Sequence, residues 1–244
     1  PPTTSTPAVL PDADLPLPSG PQPPHVPPPQ PPVPGLLNTH GDRSRPLIAL
    51  TFDACETPNV LAGYDEHLVQ ILLAAHAPAT MFLCGHWVST HSDVTRMLAA
   101  NPLFELGNHS WGHPDFSRIR PATMDLEISR TQAAIYHLTG RQPTLFRMPY
   151  GNWSRAALAE VSHAGLRTIQ WDVVTGDPDP NVSAKMIIRT VQQKARNGSI
   201  IVMHMNGRGV HTHEALPTLI QNLRAQGYIL ATVSQVLGLV PLTI

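Results

Sequence analysis

The stretch Leu47-Ile48-Ala49-Leu50-Thr51-Phe52-Asp53-Ala54-Cys55 runs uncharged for six residues and ends in a single carboxylate. Such a run reads as a β-strand with a polar group delivered at its C-terminal end. Working outward, similar runs recur at 79–83, 104–106, 144–146, 168–171, 200–203 and 228–231. Between them lie segments of helical spacing at 60–75, 88–100, 122–138, 154–164, 183–196, 213–225 and 233–237. Strand alternating with helix predicts an α/β fold of parallel strands joined by crossovers. Seven such units fit a closed or nearly closed barrel, with an open doubly wound sheet as the alternative.

The 244 residues suffice for one sizeable core and a tail. Fifteen of the 27 prolines lie in residues 1–34, so residues 1–40 are expected to form a Pro-rich, extended, polyproline-like linker and residues 41–244 a single folded domain. Charged residues make up only 14% and the net charge is −1, which leaves no basic stripe for nucleic acid. No apolar run is long enough to cross a bilayer, and no secretory leader opens the chain. The domain is expected to work as a monomer.

Six residues of metal or acid-base chemistry fall at or just past predicted strand ends: Asp53, Cys84, His109, Arg147, Asp177 and His204. In a parallel barrel those ends converge on one mouth. His109 and His113 are four apart, so a helical turn would put both imidazoles on one side, within reach of one ion. Asp53 is a metal ligand or a general base, and Arg147 is its natural ion-pair partner. Asp177, in Gly176-Asp177-Pro178, is either a turn former or the carboxylate that holds His204 protonated. His211 and His213 are read as solvated, and His86 and His91 as surface or helix-end residues.

Thr51-Phe52-Asp53-Ala54, His109-Ser110-Trp111-Gly112-His113, Arg147-Met148-Pro149-Tyr150-Gly151, Trp171 followed by Asp177-Pro178, and Val202-Met203-His204 occur in that order. They resemble the five motifs of the polysaccharide deacetylases, carbohydrate esterase family 4, or NodB-homology domain. The resemblance covers nearly everything after the tail. It implies a distorted (β/α)7-8 barrel that removes N- or O-acetyl groups from a glycan such as peptidoglycan, a chitin-like polymer or xylan. It implies a divalent metal, zinc first and Co2+, Ni2+ or Mn2+ as alternatives, held by His109 and His113. It implies Asp53 as base toward a metal-activated water, Arg147 positioning Asp53, and the Tyr150 backbone N–H on the oxyanion. His204 would be the acid, tuned by Asp177. An extracytoplasmic location goes with such a substrate.

The departures are specific. The family's T-F-D-D has Ala54 at its last position, where a metal-ligating carboxylate is usual, and Pro178 stands for the usual Trp. Water, then Glu56, then Cys55 are the expected replacements. Cys55 and Cys84 follow consecutive strands and are candidates for a disulfide, which would need Cα atoms within about 7 Å and would hold Cys55 away from the metal. Two rival functions remain: a silent barrel that only binds glycan, and an amidase for a small non-sugar amide. An open groove favours polymers; a closed pocket favours small amides.

Overall fold

A computed structural model of the chain describes residues 36–56 and 61–242. The Pro-rich run up to residue 35 lies outside the described residues, as do 57–60, where a helix was expected to begin.

Strand β1 (Leu37–Asn38) precedes the opening stretch, which becomes β2 (Leu47–Ala54), buried at all eight positions. The others are β3 (Ala79–Leu83), β4 (Phe104–Asn108), β5 (Leu145–Phe146), β6 (Arg167–Ile169), β7 (Val173–Val174), β8 (Ile200–His204) and β9 (Ile229–Leu230). Every pairing between strands is parallel, in the order β1-β6-β5-β4-β3-β2-β8-β7, with β9 added beside the start of β2. Segment 167–174 closes the curl. Its first part, β6, pairs with β5, and its second part, β7, pairs with β8. The chain therefore changes partner without turning back, and the sheet is a distorted barrel rather than an open doubly wound sheet.

Period-two alternation sorts β2. Leu47 and Ala49 join Phe82, Leu145, Ile169 and Ile200 in one cluster, while Ile48, Leu50, Phe52 and Ala54 pack into the larger cluster with the helices. The helices are α1 (Glu66–Ala74), α2 (Gly85–Thr90), α3 (Ser92–Ala100), α4 (Pro121–Thr139), α5 (Arg155–His163), α6 (Ala184–Lys194), α7 (Thr212–Ala225) and α8 (Val233–Val236). Their ends follow local chemistry. Asp65, Ser154, Ser183 and Thr232 accept N-terminal N–H groups of α1, α5, α6 and α8. Helix α4 opens on Pro121 and stops at Gly140, whose φ of 68° a glycine takes without cost. The helix expected over 88–100 is broken at His91 (φ −121°, ψ 45°) into α2 and α3. Four strands, β1, β5, β7 and β9, have two residues each; apolar runs in the sequence mark β5 and β9, but not β1 or β7.

Candidate functional site

The strand ends bring Asp53, His109, His113, Tyr150, Asp177 and His204 around one cleft of about 290 Å³, with Trp171, Pro178 and Arg208 on its walls. Asp53 and His204 are register partners on β2 and β8. A second cleft of about 480 Å³, lined by Cys55, Gly63 and Asn206 among others, meets the first at His113, Tyr150 and Arg208.

Arg147, expected beside Asp53, is fully buried. Its Nη1 donates to Asp53 Oδ1 (2.7 Å) and Thr51 Oγ1 (2.8 Å), and its Nη2 donates to the Gln170 carbonyl (3.3 Å). The guanidinium lies 3.9 Å over the Phe82 ring and 5.4 Å from Trp171. Burial is the largest influence on Asp53 and opposes its charge. Arg147, with the His109 and His204 imidazoles, outweighs it and leaves the carboxyl below its ordinary value.

Asp177 lies in the turn closed by the Asp179 N–H on the Gly176 carbonyl (3.1 Å), and its buried side chain is also an anchor. Its Oδ1 lies 3.0 Å from His204 Nδ1, and its Oδ2 accepts from the His204 backbone N–H (2.7 Å) and the Thr212 hydroxyl (2.8 Å). Burial would lower the His204 pKa. The hydrogen bond and charge of Asp177, then the charge of Asp53, more than reverse this and raise it. With Nδ1 turned to Asp177, Nε2 is the nitrogen left for the cleft.

His109 and His113 come together, but not on a helical turn. Residues 109–113 form a bent loop with positive φ at Ser110 (68°) and His113 (58°). The loop is pinned from beneath. Glu127 Oε2, on α4, accepts the Trp111 and Gly112 N–H groups (2.9 and 2.7 Å), and Asn108 Oδ1 accepts that of Ser110 (2.9 Å). His109 Nδ1 lies 2.8 Å from the Arg147 carbonyl, so Nδ1 carries a proton and Nε2 is the nitrogen an ion would take; burial opposes the His109 charge, but Cys55 and Asp53 together outweigh it and raise its pKa. His113 is pushed down to about 3 by burial, then by His109, and is neutral. The His113 ring sits edge-on between His109 (4.9 Å) and Tyr150 (4.4 Å). Tyr150 itself holds φ 59° in the tight Pro149–Gly151 turn, a backbone state that costs of order 1–3 kcal/mol and is typical of functional sites.

The cysteine expectations need correction. Cys55 and Cys84 do lie at adjacent strand ends, with the Cys84 N–H on the Ala54 carbonyl (2.9 Å), but both are buried free thiols and no disulfide joins them. Cys84 Sγ donates to the His109 carbonyl (3.2 Å). Cys55, ranked last as a replacement ligand, has its Sγ within 4.8 Å of ring nitrogens of both His109 and His113. Among the described residues this is the only such group of His, Cys, Asp or Glu. Glu56, ranked above it, turns away: Oε2 accepts from Thr90 (3.0 Å), and Oε1 lies 3.3 Å from His86 Nδ1. His86 and His91 therefore flank a buried carboxylate, a role their sequence context did not signal. His211 pairs with Glu214 (3.1 Å) and His213 with Asp65 (2.8 Å). Two imidazoles and a nearby thiol are, once deprotonated, a donor set that suits zinc and related divalent ions.

The sequence model described as polysaccharide deacetylase matches residues 40–169, just over half of the chain. The uncharacterized protein YlxY of Bacillus subtilis is 29% identical over 81% of this chain and 59% of its own length. Peptidoglycan-N-acetylglucosamine deacetylase PgdA of Listeria monocytogenes is 31% identical over 78% of this chain and 39% of its own. The chain thus spans between about two fifths and three fifths of these relatives. Among solved structures, a carbohydrate esterase family 4 pseudoenzyme from Bacillus anthracis superposes with a TM-score of 0.75. It is 25% identical and covers 84% of this chain and 70% of its own. A mutant of that pseudoenzyme with restored enzymatic activity has the same TM-score, at 26% identity, covering 84% of this chain and 72% of its own.

Proposed function

The chain belongs to the polysaccharide deacetylase family, and from that premise we propose a metal-dependent hydrolase that removes acetyl groups from an acetylated glycan. The observation that carries the reading is the pairing of a held base with a held acid in one cleft. Asp53 is fixed by Arg147, His204 is fixed by Asp177, and the two sit on neighbouring strands.

His109 and His113 would hold the ion, zinc first among divalent candidates. When bound, it supplies Lewis-acid polarisation of the acetyl carbonyl and makes water a usable nucleophile near neutral pH. Asp53 takes the water's proton: its Oδ1 is committed to Arg147, while Oδ2 lies 3.5 Å from His109 Nε2, on the side of the ion site. The Tyr150 backbone N–H, set by its strained turn, donates to the oxyanion. His204 Nε2 delivers a proton to the departing amine or alkoxide, and Asp177 keeps that imidazole charged and oriented. Two clefts meeting at the same residues favour a polymer over a small amide. Residues 1–40 serve as a spacer ahead of a monomeric catalytic domain. An extracytoplasmic location follows from such a substrate, and no described helix is long and apolar enough to cross a membrane.

Acetate release from acetylated chitooligosaccharide, peptidoglycan and acetylxylan, with and without added zinc, tests the reading. No release under any metal would leave the second reading, glycan binding without turnover. Ala54 in place of the usual carboxylate and the likeness to a pseudoenzyme favour that alternative.

A further inference from the structure

We propose that Cys55 is the third protein ligand of the metal centre, so that this chain holds its ion through one thiolate and two imidazoles. The inference rests on the His109–His113 assignment made above and extends it to the identity of the ion.

The position of Cys55 just past the strand supplies the first reason. Asp53 faces the cleft, whereas Ala54 packs with Phe52, Leu50 and Ile48 toward the helices. Cys55, one residue past the end of the strand, belongs to that same buried cluster and also lines the second cleft together with His113. A donor is therefore restored one residue beyond the position where the carboxylate is missing.

The second reason is what the other donors are doing. Asp53 Oδ1 is bound to Arg147, and its Oδ2, although 3.5 Å from His109 Nε2, is not part of the group whose donor atoms all lie within 4.8 Å of one another. Glu56 is directed to Thr90 and His86. The Cys84 S–H is directed to the His109 carbonyl. Cys55 Sγ is the remaining donor that shares one locus with both imidazoles, all three atoms lying within 4.8 Å of one another. Zinc bonds of about 2.0–2.3 Å require ligand atoms somewhat closer than this outer limit, so small side-chain rotations complete the set.

The chemistry then sets selectivity. Thiolate is a soft ligand that favours zinc and cobalt over Mg2+ and Mn2+, which prefer oxygen. A centre of this kind should discriminate against Mn2+, one of the ions expected from the sequence.

The test uses the metal-stripped protein titrated with Co2+, whose bond to a thiolate gives a near-ultraviolet sulfur-to-metal charge-transfer absorption. The wild type should take up one ion and show that absorption. Cys55→Asp should bind an ion without it and gain affinity for Mn2+ relative to Zn2+. Cys55→Ala should lose more zinc affinity than the roughly 10–100-fold that removal of an outer partner costs. Cys84→Ala should keep the absorption. Co2+ bound to the wild type without the absorption overturns the proposal, independently of whether any variant folds. So does an absorption that follows Cys84, or unchanged zinc affinity in Cys55→Ala. Acetate release measured on the same samples separates the two readings. Release without the sulfur absorption sinks the ligand assignment alone, and absorption without release sinks the deacetylase reading alone. A wild type that binds no ion overturns both.

Discussion

Replacing Arg147 by methionine removes a guanidinium that is completely buried and leaves the Asp53 carboxylate, 3% exposed, without its ion partner. Breaking a buried pair from one side costs about 3–5 kcal/mol, because the surviving charge has lost both water and counter-charge. For a domain of this size that corresponds to a fall in Tm of roughly 6–20 °C. The pH dependence carries a definite sign. In the wild type the Asp53 carboxyl lies below its ordinary value of 3.8, so its stabilising contribution is present above that value and lost as pH falls through the folded one. Without Arg147, burial acts unopposed and raises the carboxyl pKa. The deficit should be greatest at neutral pH and shrink in acid as Asp53 takes up a proton. Asp53→Asn in the same chain removes the orphaned charge, so the double variant should recover at least about 2 kcal/mol of the single variant's loss. Denaturant unfolding of the metal-stripped proteins at several pH values reads all of this. A loss below about 1 kcal/mol for Arg147→Met, or no recovery in the double variant, would refute the view that this pair holds the base.

Asp53→Asn alone should abolish acetate release while metal content stays nearly unchanged; loss of the ion would make Asp53 a ligand instead of the base. The pH profile of kcat/KM should be bell-shaped. It should rise as Asp53 ionises, below 3.8, and fall as His204 loses its proton, above the ordinary 6.5, because the two groups are shifted apart. Asp177→Asn removes the charge that raises His204, so the falling limb should move to lower pH; a limb that stays in place would uncouple Asp177 from the acid. Gly209→Ala should lower both stability, by about 1–3 kcal/mol, and turnover. A Cβ there would meet the His204 carbonyl oxygen at 2.4 Å and Asp177 Oδ2 at 2.8 Å. Thermal melts with parallel acetate assays check it.

Much of the architecture was legible because it is local. The uncharged run ahead of Asp53 becomes β2, and the segment read as a helix over 122–138 becomes α4, Pro121–Thr139. Strand ends predicted to converge do so, since parallel crossovers leave all C-terminal ends on one face. Asp53, His109, Arg147, Asp177 and His204 could be singled out as chemically active residue types at those ends. Their partners were harder to read: Glu127 beneath the 109–113 loop and Thr212 beneath Asp177 come from other elements.

Sequence alone determined the alternation of the longer strands and helices, the motifs, and the absence of a carboxylate at Ala54, because these depend on residue type and short-range periodicity. Tertiary structure decided the rest. Barrel closure rests on segment 167–174 changing partner between two distant strands. That Asp177 is an anchor as well as a turn residue depends on a histidine 27 residues away. The cysteine expectation failed for the same reason. Strand order makes Cys55 and Cys84 neighbours, but the direction of each side chain is set by what packs around it. That packing turns Cys84 to the His109 carbonyl and leaves Cys55 beside the two histidines.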